Sequence, residues 1–428
     1  MLKSLAQSAT GVDLEEDVVP LRGNPFVVGA TDAKNFLGDS ASDSFVAAIQ
    51  VADEDKLGDL LEKTGVRKTG EKSGATIYDD EGTEFAVEGD SVVFAGTREQ
   101  LDAALERADG DDKLDEETFE SGLEGLPDSG IARVYANLAE LLTSASGTEE
   151  ARRIKWVSAL ESFGLTASVK DDGIEIEFVA RTNGDELTEE DLPIASGDQA
   201  PAVVQTPGEI GVGVRDIGQI VKFVETVVQA ISPSTYGDYA AAKKQLEERL
   251  DVDVEKDLLD QLSGDISASI SLSGDFGVRT EPKDPAAFER TLAKVADVLP
   301  SLAEGAGLGP VAIEKPKGNE DFYALAQPDG EGVVFGVVDG VFVVASDADR
   351  AARLATTEPE AVDGAQGAVV LSADAEELAN AFIEQLGSSL EIPPQLAAAF
   401  TKPLSDLTGS ISADTDGVSG RIRLSVDE

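Results

Sequence analysis

The chain has 428 residues, of which 84 are acidic and 34 basic, so its formal net charge is −50. Such a charge repels phosphate groups and anionic lipid headgroups, so nucleic acid is not an expected partner. The chain contains no cysteine and no histidine, which excludes disulfides, thiolate nucleophiles, Cys/His zinc sites and serine–histidine triads. Catalysis would have to use carboxylates, lysine, tyrosine, hydroxyls or an oxygen-liganded metal.

A hydrophobic content of 41% is ordinary for a folded protein, despite the charge. No apolar run reaches the roughly 18 residues that a membrane helix needs, so we expect no transmembrane segment within these residues. The opening sequence MLKSLAQSATG also lacks the apolar stretch of a signal peptide.

In chain order, the first half predicts a short helix, two strands, a capped helix, a three-strand meander and a second capped helix. These segments are 12–23, 26–30, 44–51, 52–65, 75–95 and 97–106. Asp53 and Thr97 are positioned to cap the two helices. Helical spacing predicts that the two helices bury Leu57, Leu60, Leu61, Leu101, Ala104 and Leu105. Next, the sequence predicts a further strand and a helix capped by Asn137, followed by a hairpin at 165–180.

The second half repeats this order about 240 residues further along. The segment GDSVVFAGTREQLDAALE (89–106), for example, resembles DGVFVVASDADRAARLAT (339–356). The predicted caps in this half are Asp284, Asp347 and Asp374. The second half also begins with an additional strand and helix, TPGEIGVGVRDIGQIVKFVETVVQAI (206–231), with Asp216 as the predicted cap. We expect this strand to pair into the sheet and the helix to pack an apolar face on it, formed by Ile220, Phe223, Val224 and Val227.

The first half contains no counterpart of 206–231, and aligning the halves places Met1 opposite Ala242, inside a helix. We therefore expect the first lobe to lack about 40 N-terminal residues, relative to a complete repeat. Any signal or membrane anchor would then lie upstream of Met1. The sheet of that lobe should expose an unpaired edge or an apolar patch.

Hairpins dominate the predicted elements, which favours an α+β fold over a doubly wound parallel sheet. We predict two similar lobes from an internal duplication, each an antiparallel sheet with helices packed on one face. The first, truncated lobe comprises 1–187, a linker spans 188–202, and the second, complete lobe comprises 203–428.

Three features resemble an actinobacterial family known as domain of unknown function 3352. They are the opening TPGEIGVGVRDIGQ, the acidic helices that end in glycine (12–23 and 252–264), and the segment VVDGVFVVASD. The resemblance covers essentially the whole chain. It implies a protein that is secreted or held by one N-terminal membrane segment, and it assigns no activity and no functional residues.

The segment DGDDKLDEETFE (109–120) is similar to a calcium-binding loop. Its candidate ligands are Asp109, Asp111, Asp115 and Glu120. Lys113 occupies a ligand position, however, and Leu114 stands where the sharp turn needs glycine. The alternative is a solvated acidic linker whose last residues begin a helix. Apart from this candidate, we predict no metal, cofactor or catalytic residues.

Two aromatic sites are also candidates for ligand contact. Trp156 lies in ARRIKWVSALESFG (151–164), whose apolar spacing predicts an amphipathic helix, and core packing is the expected role of its ring. Tyr236 and Tyr239 flank a helix start, where they either contact a ligand or complete the core.

Because no catalytic constellation is present, the first functional hypothesis is a non-enzymatic, extracytoplasmic binding or scaffold protein. One version of it carries a lipid or another apolar ligand. The first alternative is a carboxylate- and metal-dependent hydrolase, which would bring two or more acidic side chains together with shifted pKa values. The second is an acidic cytoplasmic protein adapted to salt, which would be stable only in molar salt.

Overall fold

The computed structural model describes residues 26–30, 45–80, 83–110, 113–144, 147–197, 199–305, 311–326, 332–390, 399 and 401–427. The chain forms two compact units. The first comprises Met1–Phe119 and Glu140–Thr148, and the second comprises Glu120–Ala139 and Glu149–Glu428. The predicted helix at 12–23 lies outside the described residues.

Nineteen strands are described. They are β1 (Phe26–Ala30), β2 (Phe45–Gln50), β3 (Arg67–Lys72), β4 (Ala75–Asp80), β5 (Thr83–Glu88), β6 (Ser91–Ala95), β7 (Ala132–Asn137), β8 (Leu160–Lys170), β9 (Gly173–Thr182), β10 (Glu209–Arg215), β11 (Asp265–Ser271), β12 (Phe276–Thr280), β13 (Ala312–Glu314), β14 (Phe322–Ala326), β15 (Val333–Val338), β16 (Val341–Ala345), β17 (Val369–Asp374), β18 (Leu404–Asp414) and β19 (Gly417–Val426).

The described α-helices are α1 (Glu54–Thr64), α2 (Arg98–Asp109), α3 (Glu116–Gly122), α4 (Leu138–Ser144), α5 (Lys155–Ser158), α6 (Ile217–Ile231), α7 (Pro233–Leu250), α8 (Pro285–Gly305), α9 (Ala348–Thr356) and α10 (Ala375–Leu390). Between them lie short 3₁₀ turns, such as Ala151–Arg153 and Glu189–Asp191. Among the described helices, none is both long enough and apolar enough to cross a membrane.

The first unit contains a six-stranded antiparallel sheet in the order β1-β2-β6-β5-β4-β3. Both of its predicted caps are confirmed: Asp53 accepts a hydrogen bond from the Lys56 amide at 3.0 Å, and Thr97 accepts one from the Gln100 amide at 3.3 Å. Helix α2 packs on the sheet through Leu101 and Leu105, which lie in a buried cluster with Ala75, Ile77 and Ala86. Strand β3 (RKTGEK) was not predicted, because its charged sequence has no apolar alternation; charge is a common device at a sheet edge.

The second unit contains a thirteen-stranded sheet in the order β13-β14-β15-β16-β12-β11-β10-β17-β18-β19-β9-β8-β7. Three helices begin at the predicted caps. Asp284 accepts from the Ala287 amide at 2.9 Å, and Asp347 and Asp374 accept from the amides of Arg350 and Glu377 at 2.8 Å. Every strand pairing of both sheets is antiparallel, so the predicted α+β class is confirmed.

The strand order follows the pattern that the predicted duplication would give. The order β1-β2-β6-β5-β4-β3 corresponds to β11-β12-β16-β15-β14-β13, and β7-β8-β9 corresponds to β17-β18-β19. In the second half, β10 lies between β11 and β17, whereas the strands of the first half belong to two sheets. The duplication and the division into 1–187, 188–202 and 203–428 stay predictions.

Strand β10 contains glycine for a steric reason. A Cβ at Gly211 would lie 2.4 Å from Cγ1 of Val203, and one at Gly213 would lie 3.0 Å from the carbonyl oxygen of Ala202. Residues 201–204 therefore pass directly over this strand. The Gly-x-Gly spacing of EIGVGVR serves this close packing.

Two local predictions were wrong. Asp216 precedes α6 with φ +48°, but its side chain caps no amide of that helix. The segment 151–164 is not one helix: a 3₁₀ turn and the short α5 end before β8 begins at Leu160. The apolar spacing predicted a single helix here, but such spacing does not show where a helix ends. It therefore did not reveal the break before β8.

Candidate binding surface

Helix α6 carries an apolar stripe. Its sequence is IGQIVKFVETVVQAI, and none of its residues is buried. Five apolar residues recur at alternating spacings of three and four, which places them within an arc of about 80° on one side of the helix. These residues, the α6 stripe, are Ile217, Ile220, Val224, Val227 and Ile231. Val224 is 50% exposed and Ile231 is 52% exposed, so the expected packing of Val224 on the sheet is wrong.

Contacts on the two flanks of α6 leave Val224 and Ile231 of this stripe exposed. On one flank the ring of Phe223 packs edge-to-face against Trp156, with ring centroids 6.1 Å apart. On the other flank the Glu225 carboxylate accepts a hydrogen bond from the Tyr239 hydroxyl of α7 at 2.7 Å. Because Phe223 and Glu225 precede and follow Val224, each lies about 100° away from it around the helix. The helix is therefore held on both sides of its stripe.

The first turn of α6 is anchored to the segment that precedes β10. Nε2 of Gln219 donates to the carbonyl oxygen of Leu192 at 2.7 Å and to that of Glu189 at 3.0 Å. Leu192 itself is fully buried. These bonds fix the start of the helix.

Little of helix α7 is buried, since Leu250 is its only buried residue. Tyr236 and Tyr239 lie near each other on it, with ring centroids 6.3 Å apart, and Tyr239 is 43% exposed. The two tyrosines predicted as candidates are thus part of the α6–α7 hairpin. Trp156 contacts the same pair of helices, since its ring packs against Phe223 of α6.

We expect Tyr239 to titrate well above an ordinary tyrosine. The hydrogen bond to Glu225, followed by burial and the Glu225 charge, raises the pKa of Tyr239 to about 12. The stabilisation is fully present below the unfolded pKa of about 10 and is lost as the pH rises through the folded value. In an ultraviolet titration, Tyr239→Phe should remove the most alkaline phenolate transition, and Glu225→Gln should move it to lower pH. A titration curve that neither variant changes would contradict this assignment.

A polar cleft is the second candidate site. It has a volume of about 290 Å³ and lies where β9 pairs with β19. Its lining comprises Glu124, Gly125, Leu126, Glu177, Phe178, Val179, Arg181, Gln366, Ser410, Ser412, Ser419, Gly420 and Arg421. The Arg181 guanidinium donates to the carbonyl oxygen of Glu124, and its buried Nε finds no hydrogen-bond partner among the described residues.

Two glutamates come together beside this cleft. Glu175 and Glu177 are two residues apart on β9, so their side chains share one face of the strand. Burial, together with the charge of Glu175, raises the pKa of Glu177, while Arg421 opposes the shift. The Glu175 carboxylate lies 3.6 Å from Nη1 of Arg421 and 3.6 Å from Nζ of Lys170. Sequence reasoning missed the pair, because EIEF reads as an alternating strand and Arg421 is distant in the chain.

Two of the four carboxylates of the calcium-loop candidate have other partners. Asp115 accepts a hydrogen bond from the Thr118 amide at 2.7 Å, at the start of α3. Glu120 accepts hydrogen bonds of 2.7 and 2.8 Å from the Arg133 guanidinium, and these lower the pKa of Glu120. Asp109 is the last residue of α2, and Asp111 lies outside the described residues. Within the described part of the chain, no group of three or more acidic residues is placed to hold a metal ion.

Solved structures offer only a distant likeness. Crystal forms I, III and IV of TP0453 match 52–53% of this chain and 77–79% of their own, at 11–13% identity. Their TM-scores are 0.25–0.27, and similarity at this level does not extend to function. No curated protein matches the sequence.

A family model described as "Protein of unknown function (DUF3352)" matches residues 1–302, well over half of the chain. This match agrees with the resemblance carried by the opening strand and helix of the second half and by the acidic helices that end in glycine. The protein therefore belongs to the DUF3352 family of proteins of unknown function.

Proposed function

We propose that this protein is a non-enzymatic, extracytoplasmic binding protein that holds an apolar ligand, such as an acyl chain, on the α6 stripe. The observation that supports the proposal is an apolar helix with no buried residue, in which Val224 and Ile231 are half exposed. Fully burying one such side chain contributes about 1.5–3 kcal/mol. Because Val224 and Ile231 are already half buried, a ligand that covers both gains about 1.5–3 kcal/mol in total.

The net charge of the protein restricts the charge of the ligand that it can bind. With a net charge of −50, the protein repels anionic headgroups. The ligand is therefore not anionic, and an uncharged, zwitterionic or cationic headgroup fits this charge. In this proposal the protein is extracytoplasmic, either secreted or membrane-anchored, and it carries the ligand outside the cytoplasm.

The cavities support binding at the surface rather than inside the fold. The cleft beside Glu177 is lined largely by polar and charged residues. A second cavity, of about 380 Å³, is lined by Val252 and by four carboxylates: Glu247, Asp251, Asp253 and Asp257. Neither suits an acyl chain, so the stripe is the surface to which we assign the ligand.

Native mass spectrometry of gently purified protein tests this proposal. The native chain should retain an apolar ligand, and Val224→Asp with Ile231→Asp should lose it. A matched control is Thr226→Asp with Gln229→Asp, since these two exposed residues lie on the opposite side of the same helix. The proposal fails if the native chain carries no ligand, or if both double variants lose it equally.

One observation favours the hydrolase as a second candidate. Glu175 and Glu177 share a face of β9 beside a cleft, and the pKa of Glu177 is raised. Paired carboxylates with separated pKa values are a common arrangement for acid–base chemistry and metal binding. Titration with Mg²⁺ or Mn²⁺ separates the two candidates. Saturable binding that disappears in Glu175→Gln with Glu177→Gln would support the hydrolase, and the absence of binding would favour the binding protein.

A further inference from the structure

The cleft beside Glu177 has a polar floor, formed by the neighbouring strands β9, β19 and β18. Arg421 lies opposite Glu177 on one side and opposite Ser410 on the other. In an adjacent row of the sheet, Ser419 lies opposite Ser412. Directly opposed residues share one face of a sheet, as do residues two apart on a strand, so these five side chains form one surface.

Two segments cover parts of this face and leave the floor open between them. Residues 124–126 lie on the β9 side, where the Arg181 guanidinium donates to the carbonyl oxygen of Glu124. Gln366 lies on the β18 side, where a Cβ at the neighbouring Gly367 would clash with Oγ of Ser412. The volume of about 290 Å³ is close to the lower end of the range of ligand sites, about 300–1,000 Å³, so the cleft suits a small molecule.

The charges that line the cleft are balanced, although the whole chain carries −50. Two carboxylates, Glu124 and Glu177, are matched by two guanidiniums, Arg181 and Arg421. Each guanidinium already has a protein partner, since Arg181 donates to the Glu124 carbonyl and Arg421 lies 3.6 Å from Glu175. A balanced lining of this kind favours a ligand without net charge.

The uncharged polar groups of the cleft, by contrast, are available to a ligand. Four of them make no side-chain hydrogen bond to another residue in the described part of the chain: Ser410, Ser412, Ser419 and Gln366. Hydroxyl and amide groups both donate and accept hydrogen bonds. A ligand that satisfies all four therefore carries several groups that also do both, and hydroxyls have this property.

We propose that the cleft beside Glu177 binds a neutral sugar unit. Sugar hydroxyls donate to the Glu177 carboxylate, accept from Arg421 and Gln366, and exchange hydrogen bonds with the serines of the floor. Leu126 and Val179, which also line the cleft, contact the C–H groups of the ring. This site is separate from the α6 stripe and independent of the function proposed for it, and binding there requires no metal ion.

Saturation-transfer NMR on the full chain tests this proposal. The probes are glucose, galactose, mannose and N-acetylglucosamine, with glycine as a zwitterion and acetate as an anion for comparison. At least one sugar should show saturable transfer to its ring protons, whereas glycine and acetate should show none. Saturable transfer to glycine or acetate without transfer to any sugar would overturn the proposal, because the cleft would then recognise charge.

Variants of the floor locate the binding. Ser410→Ala with Ser419→Ala should weaken sugar binding about fivefold or more, because two ordinary hydrogen bonds are lost. Gln366→Ala, an exposed change outside the sheet, should also weaken it. The matched control is Thr408→Val with Ser425→Ala, which removes one hydroxyl each from β18 and β19 outside the cleft and should bind like the native chain. The proposal fails if no sugar binds, or if the floor and control variants weaken binding equally.

Discussion

Replacing Arg350 by alanine should destabilise the second unit by about 3–5 kcal/mol, the range for breaking a buried ion pair. Arg350 is 6% exposed, on α9, and its guanidinium donates to the Glu209 carboxylate of β10 and to Oγ of Ser269 on β11 at 3.1 Å. Its removal leaves Glu209 with a largely buried, unpaired charge. The expected result is a lower free energy of unfolding, measured by urea denaturation. The fluorescence of Trp156 monitors the transition, because this residue lies in the same unit.

Arg353→Ala is the matched control, because Arg353 is exposed on the same helix and should change stability by less than about 0.5 kcal/mol. The double variant Arg350→Met with Glu209→Met removes both charges, so it should recover much of the loss. Equal stability of Arg350→Ala and Arg353→Ala would show that the pair does not hold α9 to the sheet.

Truncating Phe288 to alanine should destabilise the same unit by about 3–5 kcal/mol, because it leaves a cavity in the core. Phe288 is 2% exposed in α8, and its ring packs edge-on against Phe342 of β16, with centroids 4.9 Å apart. Leu292, one turn further along, is 7% exposed and also faces the sheet core. The loss should appear as a lower urea midpoint with little change in the slope of the transition.

Phe288→Leu, which refills part of the cavity, should lose less than Phe288→Ala. Arg290→Ala, an exposed change in the same helix, should leave the urea midpoint nearly unaltered. A loss below about 1 kcal/mol for Phe288→Ala would mean that α8 does not anchor this side of the sheet.

Features set by neighbouring residues could be predicted from the sequence. The helix caps Asp53, Asp284 and Asp347 need only an amide three residues ahead, and all three form. The turn between β15 and β16 needs two residues with positive φ, and Asp339 and Gly340 supply them at +50° and +88°. Interactions between residues this close in the chain can be predicted from the sequence alone.

Features set by distant segments could not be predicted. The buried residues of β8 include Ser162, Thr166 and Ser168, because residues 127–129 pass over that face. Oγ1 of Thr166 contacts the carbonyl oxygen of Pro127 at 3.4 Å, and Oγ of Ser168 that of Ser129 at 3.2 Å. From the hydrophobic pattern alone, this serine- and threonine-containing face of β8 would be predicted to be exposed to solvent. The cleft beside Glu177 was missed for the same reason, since β9 and β19 are far apart in sequence.

The open stripe of α6 was only partly predictable. Its apolar spacing identified an amphipathic helix, and packing on the sheet was the natural expectation. The structure instead holds the helix by its flanks, through Phe223 and Glu225. Amphipathic spacing reports which side of a helix is apolar, whereas the partner of that side depends on tertiary packing.

The most direct test of the proposed function uses the single tryptophan. Trp156 packs on Phe223 of α6, so its emission reports on the surroundings of the stripe. The folded protein is titrated with a zwitterionic single-chain phosphocholine below its micelle concentration. We expect a saturable emission shift, weakened at least about tenfold by Val224→Asp with Ile231→Asp, since burying the exposed halves of both side chains together contributes about 1.5–3 kcal/mol, more than the roughly 1.4 kcal/mol that a tenfold change requires. Thr226→Asp with Gln229→Asp should titrate like the native chain, and no shift, or one that both double variants leave intact, would contradict a binding role for α6.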